Sequence, residues 1–171
     1  MLAFCTLAGF AQAKKPAGTP PPKKKSEIEG FRDINWGTHK DSVVRDGQKI
    51  TLAKSQDVND TNAFTIPGED MMVGTVMLQS INYMFDGSNR FSRLIMKGNS
   101  KDLGAMKYII NNKLSAPDVK EVSGGFQYLW VTDDVRIYLT DYRDQGFFTV
   151  EFVSDYQLAA QRKINQNVKD F

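Results

Sequence analysis

Apolar residues recur with period two in three stretches of the last third of the chain: Phe126, Tyr128 and Trp130; Val135, Ile137 and Leu139; Phe148, Val150 and Phe152. Successive side chains of a strand point to opposite faces, so each stretch predicts a strand with one apolar side. A two-residue turn at Asp133-Asp134 sets Trp130 opposite Ile137 and Tyr128 opposite Leu139. A loop from Asp141 to Gly146 sets Leu139 opposite Phe148 and Ile137 opposite Val150. Every large apolar residue of this meander then shares one face. The same register puts Arg136 opposite Glu151 on the other face, where Leu129, Val131, Tyr138 and Phe147 lie among Gln127, Arg136, Thr149 and Glu151. Such a mixture of aromatic and polar groups suits an interface. Leu129, Arg136, Tyr138, Phe147 and Glu151 are therefore the candidate binding residues, the alternative being a second packed face under a helix.

Upstream, the pattern predicts a short strand over Phe31–Trp36, although its phase slips between Phe31, Ile34 and Trp36. Gly37 ends it, and a short helix capped by Thr38 is expected to run to about Arg45, with Val43 and Val44 to bury. A candidate strand spans Lys49–Ala53 and a loop covers Asp57–Asn62. A strand over Val76–Phe85 leads through Asp86-Gly87-Ser88-Asn89 into another over Arg90–Lys97, with Phe85 facing Phe91 and Ile81 facing Ile95. Ser100 can cap a helix in which Leu103, Met106, Ile110 and Leu114 recur at helical spacing until Pro117. Tyr156, Ala160, Ile164 and Val168 predict an amphipathic C-terminal helix. The fold class is thus α+β, an antiparallel meander with helices packed on it. The echo of Ile81-Asn82-Tyr83-Met84-Phe85 in Phe126-Gln127-Tyr128-Leu129-Trp130 suggests two helix-plus-meander repeats.

The first residues follow other rules. Residues 1–13 form an apolar run ending in Ala11-Gln12-Ala13, the small-x-small pattern of a cleaved secretion signal. Residues 14–29 combine lysines with Pro20-Pro21-Pro22, a composition that cannot bury apolar area and favours an extended tether. It serves as a solvated spacer, with weak contact to an anionic surface as the alternative. A single α+β domain is expected over residues 30–171. No segment has the length of apolar sequence that spans a bilayer as a helix, and an exported location, periplasmic or secreted, follows from the leader.

Charge sharpens this division. Five of the 22 basic residues lie before Ser26 with no acid among them, which leaves 17 basic against 20 acidic residues in the rest. A folded part with net negative charge argues against nucleic acid as a partner. Cys5, the sole cysteine, sits in the leader, so the remainder has no disulfide, thiolate metal site or cysteine nucleophile.

The rest of the chemical inventory is sparse. His39 is the only histidine and cannot make a zinc site without thiolates or carboxylates beside it. No nucleophile elbow or phosphate-binding loop is present, and no cofactor is expected. Asp141–Phe152 has Arg143 where a calcium loop needs an oxygen ligand, and Asp57–Asn62 lacks the required glycine. Glu69-Asp70 and Asp133-Asp134 are carboxylate pairs, yet adjacent acids in a turn point apart.

The opening Phe31-Arg32-Asp33-Ile34-Asn35-Trp36-Gly37-Thr38 resembles that of uncharacterised bacterial secreted proteins with an F-R-x-I-x-W-G start. The layout of helix, hairpin, helix and meander is similar to small periplasmic modules of the outer-membrane assembly lipoprotein and β-lactamase-inhibitor type. The resemblance implies an envelope location and a binding role. The expected function is an exported, non-enzymatic module that binds a protein or an envelope polymer. The alternatives are an envelope-directed hydrolase using carboxylates and a structural subunit whose edge strand docks into an assembly.

Overall fold

The structure, a computed structural model, describes residues 28–156. The expected secretion signal, most of the tether and the predicted helix after Tyr156 lie outside the described residues. The elements run β1 (Gly30–Phe31), β2 (Ile34–Asn35), a 3-10 turn (Lys40–Ser42), β3 (Val44–Arg45), β4 (Gln48–Lys49), β5 (Ala53–Lys54), β6 (Ala63–Thr65) and β7 (Met72–Val73). There follow β8 (Val76–Phe85), β9 (Phe91–Asn99), α1 (Leu103–Asn111), β10 (Asp118–Val122), β11 (Gly125–Val131), β12 (Val135–Tyr142) and β13 (Phe147–Ser154). Nine strands form one antiparallel sheet in the order β10-β11-β12-β13-β9-β8-β6-β5, with β7 alongside β8. The fold is α+β, dominated by the sheet, with α1 laid on one face.

The meander register agrees with the hydrophobic pattern between β11 and β12, where Trp130 opposes Ile137 and Tyr128 opposes Leu139. Between β12 and β13 the strands extend further than expected, because a 3-10 turn over Arg143–Gln145 and Gly146 at φ 74° reverse the chain tightly. Leu139 therefore opposes Val150 rather than Phe148, and Ile137 opposes Phe152 rather than Val150. The offset is two residues, so each side chain keeps its face. Trp130, Ile137, Leu139, Phe148 and Val150 are all buried on the inner face. The expected pairing of Arg136 with Glu151 is lost, since Arg136 opposes Val153 and Glu151 opposes Tyr138.

β8 matches its predicted span, β9 starts one residue later than expected and runs on to Asn99, and Phe85 faces Phe91. A register shift between Met84 and Phe85 then sets Ile81 opposite Met96, not Ile95. Gly98 on β9 lies under the ring of Phe148, and a Cβ there would stand 2.3 Å from its Cζ.

Three predictions fail at the N-terminal side. The strand over Phe31–Trp36 is two short strands joined by a turn at Arg32, which adopts φ 53°. The slip of phase in that stretch is the trace of the turn. Instead of a helix to Arg45 there is one 3-10 turn capped by His39, followed by a hairpin in which Val44 opposes Lys49. Asp46 and Gly47 both have positive φ, 51° and 75°, as the Asp-Gly hairpin turn requires. The candidate strand at Lys49–Ala53 is divided between the ends of β4 and β5.

α1 forms where helical spacing predicts it and buries Met106 and Ile110. Asn99 rather than Ser100 caps its leading 3-10 turn, its Oδ1 accepting from the Lys101 N–H at 3.0 Å. Trp130 Nε1–H donates to Asn111 Oδ1 at 3.1 Å and so fixes the helix to the meander. Under α1 and the N-terminal residues Ile34, Val43 and Ile66 lies the core, built from Ile81, Tyr83, Leu94, Met96, Ile137, Leu139, Phe148 and Val150. Burying each large apolar side chain contributes about 1.5–3 kcal/mol.

Candidate binding face

With the inner face filled, the residues of opposite parity form the outer face. Leu129 on β11, Tyr138 on β12, Glu151 on β13 and Ile95 on β9 oppose one another in turn and make one row across four strands. All four are half-buried, neither sealed like the inner residues nor fully in water. The next row contains Val131, Arg136, Val153 and Arg93. Val131 is 60% exposed, high for a valine in a sheet. Arg93 forms an ion pair with Glu151 across the two rows.

The candidate residues are thus brought together in part. Leu129, Tyr138 and Glu151 touch one row and Arg136 belongs to the neighbouring one. Phe147 shares the face but stands four residues from Glu151 along β13. It packs on Tyr142, with ring centroids 4.9 Å apart, and holds Lys97 Nζ 4.2 Å above its ring. Sequence reasoning missed Arg93, Ile95 and Lys97, because they enter through the pairing of β9 with β13, a contact between distant segments. Their alternation against buried Leu94 and Met96 was the available signal.

Toward β8 the outer face closes. Ser80, Asn82 and Met84 are buried, and Ser55 Oγ–H donates to Asn82 Oδ1 at 2.5 Å while Asn82 Nδ2–H donates to Ser80 Oγ at 3.2 Å. Among the described residues the open part of the face is therefore that of β9 and β11–β13.

The other candidate chemistry is drawn into structure. Glu69, with its side chain 1% exposed, accepts from Arg32, from Arg45 Nη2 at 2.9 Å and from the Tyr83 hydroxyl at 3.0 Å. Burial and the adjacent Glu69 charge push the Tyr83 hydroxyl above its usual range. Burial works to lower Arg45, but the charge and hydrogen bond of Glu69 outweigh it and hold the guanidinium charged. Arg32 also donates to the carbonyls of Asp70 and Met72 at 2.6 and 3.1 Å. The cluster therefore clamps the β1–β2 hairpin to the segment before β7. Asp70 points away, its Oδ1 accepting from the Met72 N–H at 2.9 Å, so this carboxylate pair does not converge. His39 Nδ1 accepts from the Asp41 N–H at 3.3 Å. Asp60 Oδ1 accepts from the Asn62 N–H at 2.8 Å within its own loop. Among the described residues no group of three or more His, Cys, Asp or Glu is placed to hold a metal ion.

Comparisons of the chain with family models, with curated proteins and with solved structures found no match. Among the described residues no helix is long and apolar enough to cross a membrane.

Proposed function

We propose that the protein is an exported, non-enzymatic module that binds a protein or a cell-envelope polymer, in the periplasm or outside the cell, through the open outer face of its sheet. The observation that carries this reading is the row Leu129–Tyr138–Glu151–Ile95, apolar and aromatic groups left half in water beside an ion pair, with Val131 exposed next to it. Aromatic and aliphatic groups of this kind gain from losing water to a partner, while Arg136 and the Arg93–Glu151 pair set orientation. The small-x-small end of the apolar leader and the lysine-proline tether support export. A duplicated origin belongs to the same reading. It rests on the echo of Ile81–Phe85 on β8 in Phe126–Trp130 on β11, each followed by a turn and a partner strand.

The test is binding of the purified chain to envelope protein extract and to isolated envelope polymer, with Tyr138→Ala and Leu129→Asp as variants. At an interface a buried aromatic anchor contributes about 2 kcal/mol or more, so Tyr138→Ala should weaken binding by about thirtyfold or more. Equal binding by wild type and both variants, with unchanged melting temperatures, excludes the face.

A further inference from the structure

The sheet has two ends. At one, β5 is two residues long; at the other, β10 offers five residues, Asp118–Val122, which among the described residues pair on one side only, with β11. An unpaired strand presents a row of N–H and C=O groups that can accept another strand. Two features say which strand this edge accepts.

The first is an apolar row that runs out into water. Ile81, Met96, Val150, Leu139, Tyr128 and Val119 oppose one another in sequence across six strands of the inner face. The first four are buried, Tyr128 is half-buried with Lys107 Nζ 4.5 Å above its ring, and Val119 is 59% exposed at the edge. The second is the charge pattern Asp118-Val119-Lys120-Glu121. A second copy related by a twofold axis normal to the sheet pairs antiparallel and keeps inner face with inner face, so only residues of equal parity meet. Centring on Lys120 opposes two ammonium groups and sets Val119 against Glu121. Centring on Glu121 opposes two carboxylates. Centring on Val119 places Val119 against its own copy and Asp118 against Lys120 twice, on the outer face. Centring on Asp118 again opposes two carboxylates, and centring on Val122 leaves Val119 beyond the paired residues, so of the five centres Val119 alone opposes no like charges and continues the apolar row into the partner.

We infer that β10 is a self-association edge, joining two copies of this chain into one continuous antiparallel sheet centred on Val119. Strand pairing through one edge buries less than the roughly 1,200 Å² of a stable complex, so the dimer forms weakly and reversibly.

Sedimentation velocity of the purified chain from micromolar to near-millimolar concentration tests this. Wild type should shift from monomer to dimer. Asp118→Lys and Lys120→Asp, each exposed at the edge, should each raise the dissociation constant about tenfold or more, because each sets like charges opposite one another twice. The double variant Asp118→Lys/Lys120→Asp should restore association, and so should an equimolar mixture of the two single variants, in which every opposed pair is again of opposite sign. A wild type that stays monomeric throughout overturns the inference and leaves Lys120 as a charge that keeps the edge unpaired. A dimer indifferent to all the charge changes overturns it as well. Unchanged melting temperatures of the variants separate lost association from lost folding.

Discussion

Glu69 is held from three sides. Its carboxylate is out of water, and its three donors come from the first hairpin, from β3 and from the middle of β8. Removing one partner from a buried ionic cluster leaves the remainder uncompensated, although Arg32 and Arg45 are partly exposed and water recovers some of the loss. Glu69→Gln should therefore lower unfolding free energy by about 1–3 kcal/mol, and Tyr83→Phe by about 1 kcal/mol, in urea denaturation. No loss in the first variant would show that the clamp adds nothing to stability.

Asp86 makes a pH-dependent tie at the same scale. Burial alone would raise its carboxyl, but the Tyr156 hydroxyl, the backbone N–H groups of Arg90 and Ser88 and the charge of Arg90 together hold it below its ordinary value of 3.8. A carboxyl lowered in the folded state contributes stability that is complete above its unfolded value. That stability begins to be lost below about pH 4 and is gone once pH has fallen through the folded value. Thermal melts from about pH 5 to pH 2 should show a shallower acid decline in Tyr156→Phe than in wild type. Parallel declines would remove Asp86 as the responsible group.

Among elements, β9 shows how a strand can be chosen by its neighbour. Gly98 leaves space for the Phe148 ring of β13, and a methyl group there must displace buried aromatic carbon. Gly98→Ala should destabilise by about 1–3 kcal/mol, as overpacked cores do, measurable by the same denaturation. A neutral effect would mean that Phe148 can move aside.

Legibility follows the range of the contact. The β8–β9 hairpin and the β11–β12 turn are written in adjacent residues, Asp86-Gly87-Ser88-Asn89 and Asp133-Asp134, and both strands and faces were readable from them. The expected helix from Thr38 competed with Asp46-Gly47, a stronger local signal for a hairpin, and lost. The step of two residues between β12 and β13 depended on how tightly Arg143–Gly146 turns, which composition does not fix. Alternation still preserved the faces, so Leu129, Tyr138 and Glu151 were correctly grouped while the Arg136–Glu151 pair was not. Alternation marks Arg93 and Ile95 as outward on β9, but no local pattern states that β9 lies beside β13.

At the scale of the molecule, β13 holds the sheet together, with β12 on one side and β9 on the other. Its partners on β9 precede it by roughly fifty to sixty residues, and non-local pairing of this sort slows folding into the millisecond-to-second range. A chain truncated after Gly146 should lose its single cooperative transition, since β10–β12 and β5–β9 would be two separate partial sheets with no strand between them. A truncated chain that still melts in one sharp transition would mean that α1 alone can join the halves.

The position of β13 also orders events in time. During synthesis the ribosome delivers every other described strand first, and the gap in the centre of the sheet stays open until Phe147–Ser154 emerges. Up to that moment the nascent chain holds two partial sheets with nothing to join them, and a polypeptide in that condition is easier to thread lengthwise through a narrow channel than the closed sheet.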